Sequence, residues 1–182
     1  MPAFPTLAEI GLSLVVGVLG SLVASLCWIA VLLRIRPKLE ISKVIARSTS
    51  IDGRPEFVIK VLNWSKRGAI NIRAELFLIN ESNVSGGAIA EHTRLPLKFD
   101  CVFYLGGIDP STEREVNGWR FVSYDDLDKT WGDKLERRLR FRLVATDEVS
   151  GFSRTFTQDF YTRKDTIKDS DFRYGQRTLE VG

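Results

Sequence analysis

The sequence predicts one membrane-spanning helix followed by an all-β domain of two facing sheets. Two observations carry this. The run Ile10 to Leu33, IGLSLVVGVLGSLVASLCWIAVLL, holds 24 residues without a charge. Beyond it, short stretches of alternating hydrophobicity recur between clusters of glycine, proline, asparagine and aspartate, which is the pattern of antiparallel strands joined by turns.

The apolar run comes first. As a helix rising about 1.5 Å per residue it reaches roughly 36 Å, slightly more than a hydrocarbon core of about 30 Å. Lipid offers the backbone no hydrogen-bond partner, so a lone span is helical. Pro5 marks its expected start. Only Glu9 precedes the run, whereas Arg34, Arg36 and Lys38 follow it. Positive residues stay on the cytoplasmic side. The expected topology is therefore an N-terminus (1–9) outside the cell (inner) membrane, a transmembrane helix (10–33), a basic juxtamembrane linker (34–38) and a cytoplasmic domain. The rival reading, a cleaved signal peptide, requires a basic start that MPAFPTLAE lacks.

Ser13, Gly17, Ser21 and Ser25 recur every fourth residue. Small residues at that spacing let a second backbone approach closely, and serines can hydrogen-bond across the contact. The plain alternative is that glycine and serine are common in such helices; the strict register favours self-association. Hydroxyls also tolerate water, so the same stripe could line a pore instead, and the sequence leaves the two open. Trp28 suits an interfacial anchor or a helix contact.

Roughly 145 residues follow the helix, enough for one domain with a real core. They carry all 26 cations against 22 of the 23 acids, a net of +4. The charges are interspersed, which argues against a nucleic-acid partner. Their excess lies at the membrane, where each cation gains about 1 kcal/mol beside an anionic leaflet. Arg34, Arg36 and Lys38 are thus candidate contacts for anionic lipid headgroups. Cys27 and Cys101 are expected to be buried apolar fillers in a reducing compartment.

Leu39 to Ala46 reads as a strand leaving the membrane. A turn at Asp52-Gly53 leads into Phe57 to Asn63, with Phe57, Ile59 and Val61 on one face and Val58, Lys60 and Leu62 on the other. Ser65 to Gly68 turns the chain into Ile70 to Ile79, whose Ile70, Ile72, Ala74, Leu76 and Leu78 share a side. The polar stretch from Asn80 to His92 reads as a loop. Strands are expected over 95–99, 102–105 and 114–122, with breaks at Gly106-Gly107 and Asp109-Pro110. One short helix is expected within 125–136, and a hairpin from Leu139–Thr146 and Ser153–Tyr161. The domain would span 39–165. A polar tail, 166–182, with Phe172 and Tyr174, would dock on the sheet or on a neighbouring subunit. Seven or eight strands at this spacing fit a β-sandwich of the immunoglobulin kind, held by burial without an inter-sheet disulfide.

The order of features resembles the end of the inward-rectifier potassium channels. The matching residues are Arg36-Pro37-Lys38 after the helix, Asp52-Gly53-Arg54-Pro55, Phe57 to Asn63, Lys66-Arg67, Ala74-Glu75-Leu76 and Leu143 to Glu148. In the last of these Ala145 stands where the family usually has glycine. Tyr161 and Asp165 are similar to the segment after it, where Lys168-Asp169 replaces the family's W-G. The resemblance implies a single transmembrane α-helix followed by an all-β immunoglobulin-like sandwich resembling the channels' cytoplasmic domain. It also implies a four-fold ring and lipid binding at Arg36 and Lys38. The outer helix, pore loop and filter precede the inner helix in that family. Here nine residues do, and the chain contains no G-x-G, so potassium selectivity of the usual kind is not expected of this chain alone.

Catalysis is not expected. The single histidine, His92, has no Cys or His neighbour, and no phosphate-cradling glycine loop occurs. Asp125, Asp126 and Asp128 lack the glycine and terminal glutamate of a calcium loop, so they read, like Asp169 and Asp171, as solvated acids. No cofactor or metal is expected. The leading expectation is a homo-oligomeric, four-fold, ion-permeable membrane assembly gated by lipid or ligand. The alternative is a non-conducting, membrane-anchored module that binds a protein partner or joins a larger complex.

Overall fold

The computed structural model describes residues 7–50, 52–108, 117–132, 136–173 and 178–182. Helix α1 runs from Leu7 to Arg34, and its span Ile10–Leu32, with a mean hydropathy of 2.4, is long and apolar enough to cross a membrane. None of that span is buried by the rest of the chain. Pro5, the expected start, lies outside the described residues.

Among the described residues the remaining chain is mostly β and forms two five-stranded sheets. In the first, β3 (Pro55–Asn63) is central. It pairs on one edge with β1 (Leu39–Ile41) and β2 (Ile45–Thr49), and with β7 (Gly118–Ser123) through six register pairs from Phe57↔Ser123 to Leu62↔Gly118. In the second, β4 (Ala69–Val84) is central. It pairs with β5 (Gly87–Leu95) and β6 (Cys101–Leu105), and with β8 (Arg137–Asp147), which pairs in turn with β9 (Ser153–Phe160). The inner faces of both sheets meet in one core. Phe57, Ile59, Val61 and Phe121 come from the first sheet, and Leu76, Leu139, Phe141 and Leu143 from the second. The alternation of Phe57, Ile59 and Val61 into this core is the period-two burial that makes a strand. Helix α2 (Leu127–Trp131) plugs the core with both its end residues.

Several expected elements differ. Leu39 to Ala46 is two strands, because the Ser42 hydroxyl donates to the Val44 carbonyl (2.8 Å) and accepts from the Lys60 amide (3.2 Å), diverting the ladder. Ile70 is only half-buried: the register shifts between Ile70 and Arg73, where Asn71 takes a φ of +50°, a bulge that turns one side chain off the core face. The stretch expected as a loop, Asn80 to His92, is a β ribbon closed by a two-residue turn at Ser85-Gly86. Residues 81–94 are exposed on both faces, so no alternation marks the ribbon in the sequence. The strand expected over 95–99 stops at Leu95 because Pro96 cannot donate to a ladder. The later strand begins at Gly118; the expected break at Asp109-Pro110 and the start of that strand at Arg114 to Val116 lie outside the described residues. The helix expected within 125–136 is one turn, capped by the Asp126 side chain and ended by Gly132 at φ +64°.

The cysteines are not buried. Cys27 and Cys101 are both exposed; β6 turns Val102 and Leu105 inward, which leaves Cys101 outside. The acids are not idle either. Asp128 pairs with Arg47 and, at 3.0 Å, with Arg163; Asp169 pairs with Arg47, and Asp171 with Arg120 at 3.4 Å. These ion pairs fasten the tail. Short helix α3 (Arg163–Thr166) leads into β10 (Ile167–Lys168), which adds to β2 in parallel, and Phe172 is buried against Ala46 and Val58 on the outer face of the first sheet. Tyr174 lies outside the described residues.

Candidate functional site at the helix and domain junction

The four residues between α1 and β1 are not a loose tether. After the last helical turn, where the Ile35 amide donates to the Leu32 carbonyl (3.0 Å), the Ile35 carbonyl accepts from the Ser150 hydroxyl at 2.6 Å. Pro37 is buried. The Lys38 carbonyl accepts from the Trp64 amide (2.8 Å), extending the β1–β3 pairing by one residue, and the Trp64 indole N–H donates to the Glu40 carboxylate at 2.6 Å. The linker thus spans two turns of the β domain and is held by both.

Each turn is itself fixed. In the β8–β9 turn Asp147 accepts from the backbone amides of Val149 (3.0 Å) and Ser150 (2.8 Å), and Gly151 supplies the left-handed residue at φ +70°. Asp147 is fully buried, with the Arg67 guanidinium 3.4 Å away. Burial works against its charge. The Ser150 and Val149 amides, a further contact from Ser150 and the Arg67 charge outweigh it and hold the carboxyl below the usual range. In the β3–β4 turn the Asn63 amide donates to the carbonyls of Arg67 (2.8 Å) and Gly106 (3.0 Å) while its oxygen accepts from the Ser65 amide. A Cβ at Gly107 would stand 2.5 Å from the Lys66 backbone, so only glycine lets the two segments lie this close.

The candidate lipid residues Arg34, Arg36 and Lys38 are all exposed and alternate with Ile35 and Pro37, which turn toward the domain. The stripe residues Ser13, Gly17, Ser21 and Ser25 are exposed along α1. The Ser25 hydroxyl donates to the Ser21 carbonyl at 2.9 Å, so it is satisfied within its own helix, and a Cβ added at Gly17 meets nothing within 4 Å. Trp28 is exposed as well. His92 stands exposed on β5, its ring 6.2 Å from that of Phe77. Among the described residues no three His, Cys, Asp or Glu side chains gather as a metal site.

Sequence reasoning missed Asn63, Asp147 and Ser150 as junction residues. The turn at Ser150-Gly151 was legible, but its partner Ile35 is 115 residues away, and no local pattern encodes that contact. The parts define a β domain joined through a pinned linker to a helix able to span a membrane. No protein-family model matches the chain, and no curated protein matches it.

Proposed function

We propose that this is a single-pass membrane protein whose helix crosses the cell (inner) membrane with its N-terminus outside. Its domain, an immunoglobulin-like sandwich resembling that of the inward-rectifier channels, lies in the cytoplasm. Copies assemble about a common axis, four-fold by that resemblance, into an ion-permeable path without a potassium filter, opened by anionic lipid or by a ligand. The observation that carries this reading is the pinned junction. The linker is bonded to two separate turns, so a rigid-body shift of the domain would be passed to the end of the helix.

Imaging of the purified chain in mild detergent, followed by ion flux in liposomes, tests the reading. Four-fold particles that pass ions support it; a monomer that passes nothing overturns it. Because Gly17 meets nothing within its own chain, Gly17→Leu leaves the helix intact and should abolish assembly by holding neighbouring backbones apart. Unchanged oligomers on size-exclusion chromatography would remove the stripe as the packing face. Neutralising Arg36 and Lys38 together should weaken binding of anionic lipid by the detergent-purified chain roughly tenfold or more at low salt, with the difference shrinking as salt rises. Equal binding by the double variant would end the lipid role.

A second reading, a non-conducting anchored module that binds a protein partner, is favoured by the β4–β5 ribbon. Residues 81–94 are exposed throughout, with Val84 and Ile89 among them, and β5 is an edge strand of the kind that accepts a partner's backbone. Absence of flux together with loss of partner capture on deleting the ribbon's tip would establish it instead.

A further inference from the structure

The second sheet ends in two free strand edges. Among the described residues β5 pairs only with β4 and β9 only with β8, so each leaves one edge without a ladder partner. Neither strand contains the proline or lysine that often blunts an exposed edge. Pairing of β4 with β8 stops at Asn80↔Arg137, and beyond it β4 and β5 continue as a two-stranded ribbon with no buried face. Two strands alone are marginal in water, and a third stabilises them. The two free edges also run in opposite directions, because three antiparallel pairings separate β5 from β9. Copies related by rotation about an axis along the strands therefore present β5 of one to β9 of the next in antiparallel sense.

A continuous sheet keeps its faces, so residues that meet across such a joint must share one. Leu95 is buried in the core, which puts Ile89, Glu91 and Thr93 on the core-side face of β5. Phe156 stands opposite the core residue Leu143 and packs against the core, which puts Arg154 on the same face of β9. One register then sets Ile89 opposite Phe156 and Glu91 opposite Arg154 together, with Ala90 opposite Thr155 and His92 opposite Ser153 on the other face. Ile89 is 57% exposed. Glu91 and Arg154 are exposed too, and neither has an ion-pair partner among the described residues; the Arg154 guanidinium lies over its own Phe156 ring at 5.1 Å. Pairing β5 with its own copy about Glu91 would instead set two carboxylates opposite each other, which is unfavourable. We propose that β5 of each copy adds to β9 of the next, residues 87–92 against 153–158, so that one sheet runs from copy to copy. Strand β9 leaves the turn whose Ser150 holds the Ile35 carbonyl, so the neighbour's ribbon braces the strand that follows the linker's clasp. The inference rests on the assembly of copies proposed above and not on ion passage.

Disulfide trapping in the full chain tests this. In a Cys27→Ala/Cys101→Ala background, differently tagged Ala90→Cys and Thr155→Cys chains are co-expressed, purified in mild detergent and oxidised with copper phenanthroline. Opposite residues of an antiparallel ladder stand about 4.5–5.5 Å apart at Cα, within disulfide reach, so the two chains should cross-link. Thr157→Cys, two residues out of register at about 7–8 Å, should cross-link poorly to the same Ala90→Cys chain. Glu91→Arg alone or Arg154→Glu alone, placed in both chains, should lower the yield roughly fivefold, and the two together should restore it. Cross-linking of Ala90→Cys chains to one another, equal yield from Thr157→Cys, or no recovery in the double reversal would overturn the proposal. Failure here is separable from failure of the pore reading. Oligomers without the cross-link discard this joint and keep the assembly, whereas cross-linked chains that pass no ions keep the joint and discard the pore.

Discussion

Phe141→Ala should lower the unfolding free energy of the β domain by about 3–5 kcal/mol, the usual cost of emptying an aromatic site in a packed core. Phe141 has no exposed surface, sits on β8 in the shared core and meets Phe121 of the opposite sheet at 5.4 Å between ring centroids, tilted by 54°. That contact joins the two sheets directly, so its loss removes dispersion contacts and apolar burial together. Denaturant unfolding of the full chain in detergent, followed by near-ultraviolet circular dichroism, reads the change as a fall in midpoint. Phe103→Ala is the control. That ring is 81% exposed on β6, so its removal should shift stability by no more than about 0.5 kcal/mol. Equal effects from the two variants would mean that the sheets do not share this core.

Asp147→Ala should cost about 2–3 kcal/mol, because it strips charge-assisted acceptors from two turn amides in a buried place. The same substitution should raise hydrogen exchange at residues 35–38, since the turn it orders presents Ser150 to the Ile35 carbonyl. Acid sensitivity gives the sign. The Asp147 carboxyl is held below its ordinary range in the folded chain, so the unfolded chain takes up its proton first as pH falls. Its contribution is complete above about pH 4–5 and declines as pH drops through the unfolded and then the folded value. Asp159 adds to the same trend: hydrogen bonding to Arg140 depresses its carboxyl against the opposing effect of burial. Wild type should therefore lose stability steeply below about pH 4, and Asp147→Ala should show a shallower loss carried by Asp159. A variant with the full wild-type acid slope would show that Asp147 is not the group responsible.

The gap between sequence and fold has an identifiable cause. Strands with one buried face announce themselves, as Phe57, Ile59 and Val61 do, because water and core alternate along them. The β4–β5 ribbon has no buried face over residues 81–94, and the division of Leu39 to Ala46 into β1 and β2 depends on one serine hydroxyl. Neither leaves a periodic trace. Asp128, Asp169 and Asp171 looked like solvated acids because their arginine partners, Arg47, Arg163 and Arg120, lie 35 to 122 residues away.

By itself the sequence determined a charge-free run long enough to cross a membrane, the basic residues that close it and the mostly β character of the domain behind them, because these depend on composition and short-range period alone. Only the tertiary structure decided that Ser150 and Trp64 clasp the linker, that Asp147 is the buried centre of that clasp, and that the tail returns to bury Phe172 on the first sheet. Those contacts join residues far apart in the chain. They exist only once burial of the shared core has fixed both sheets in place.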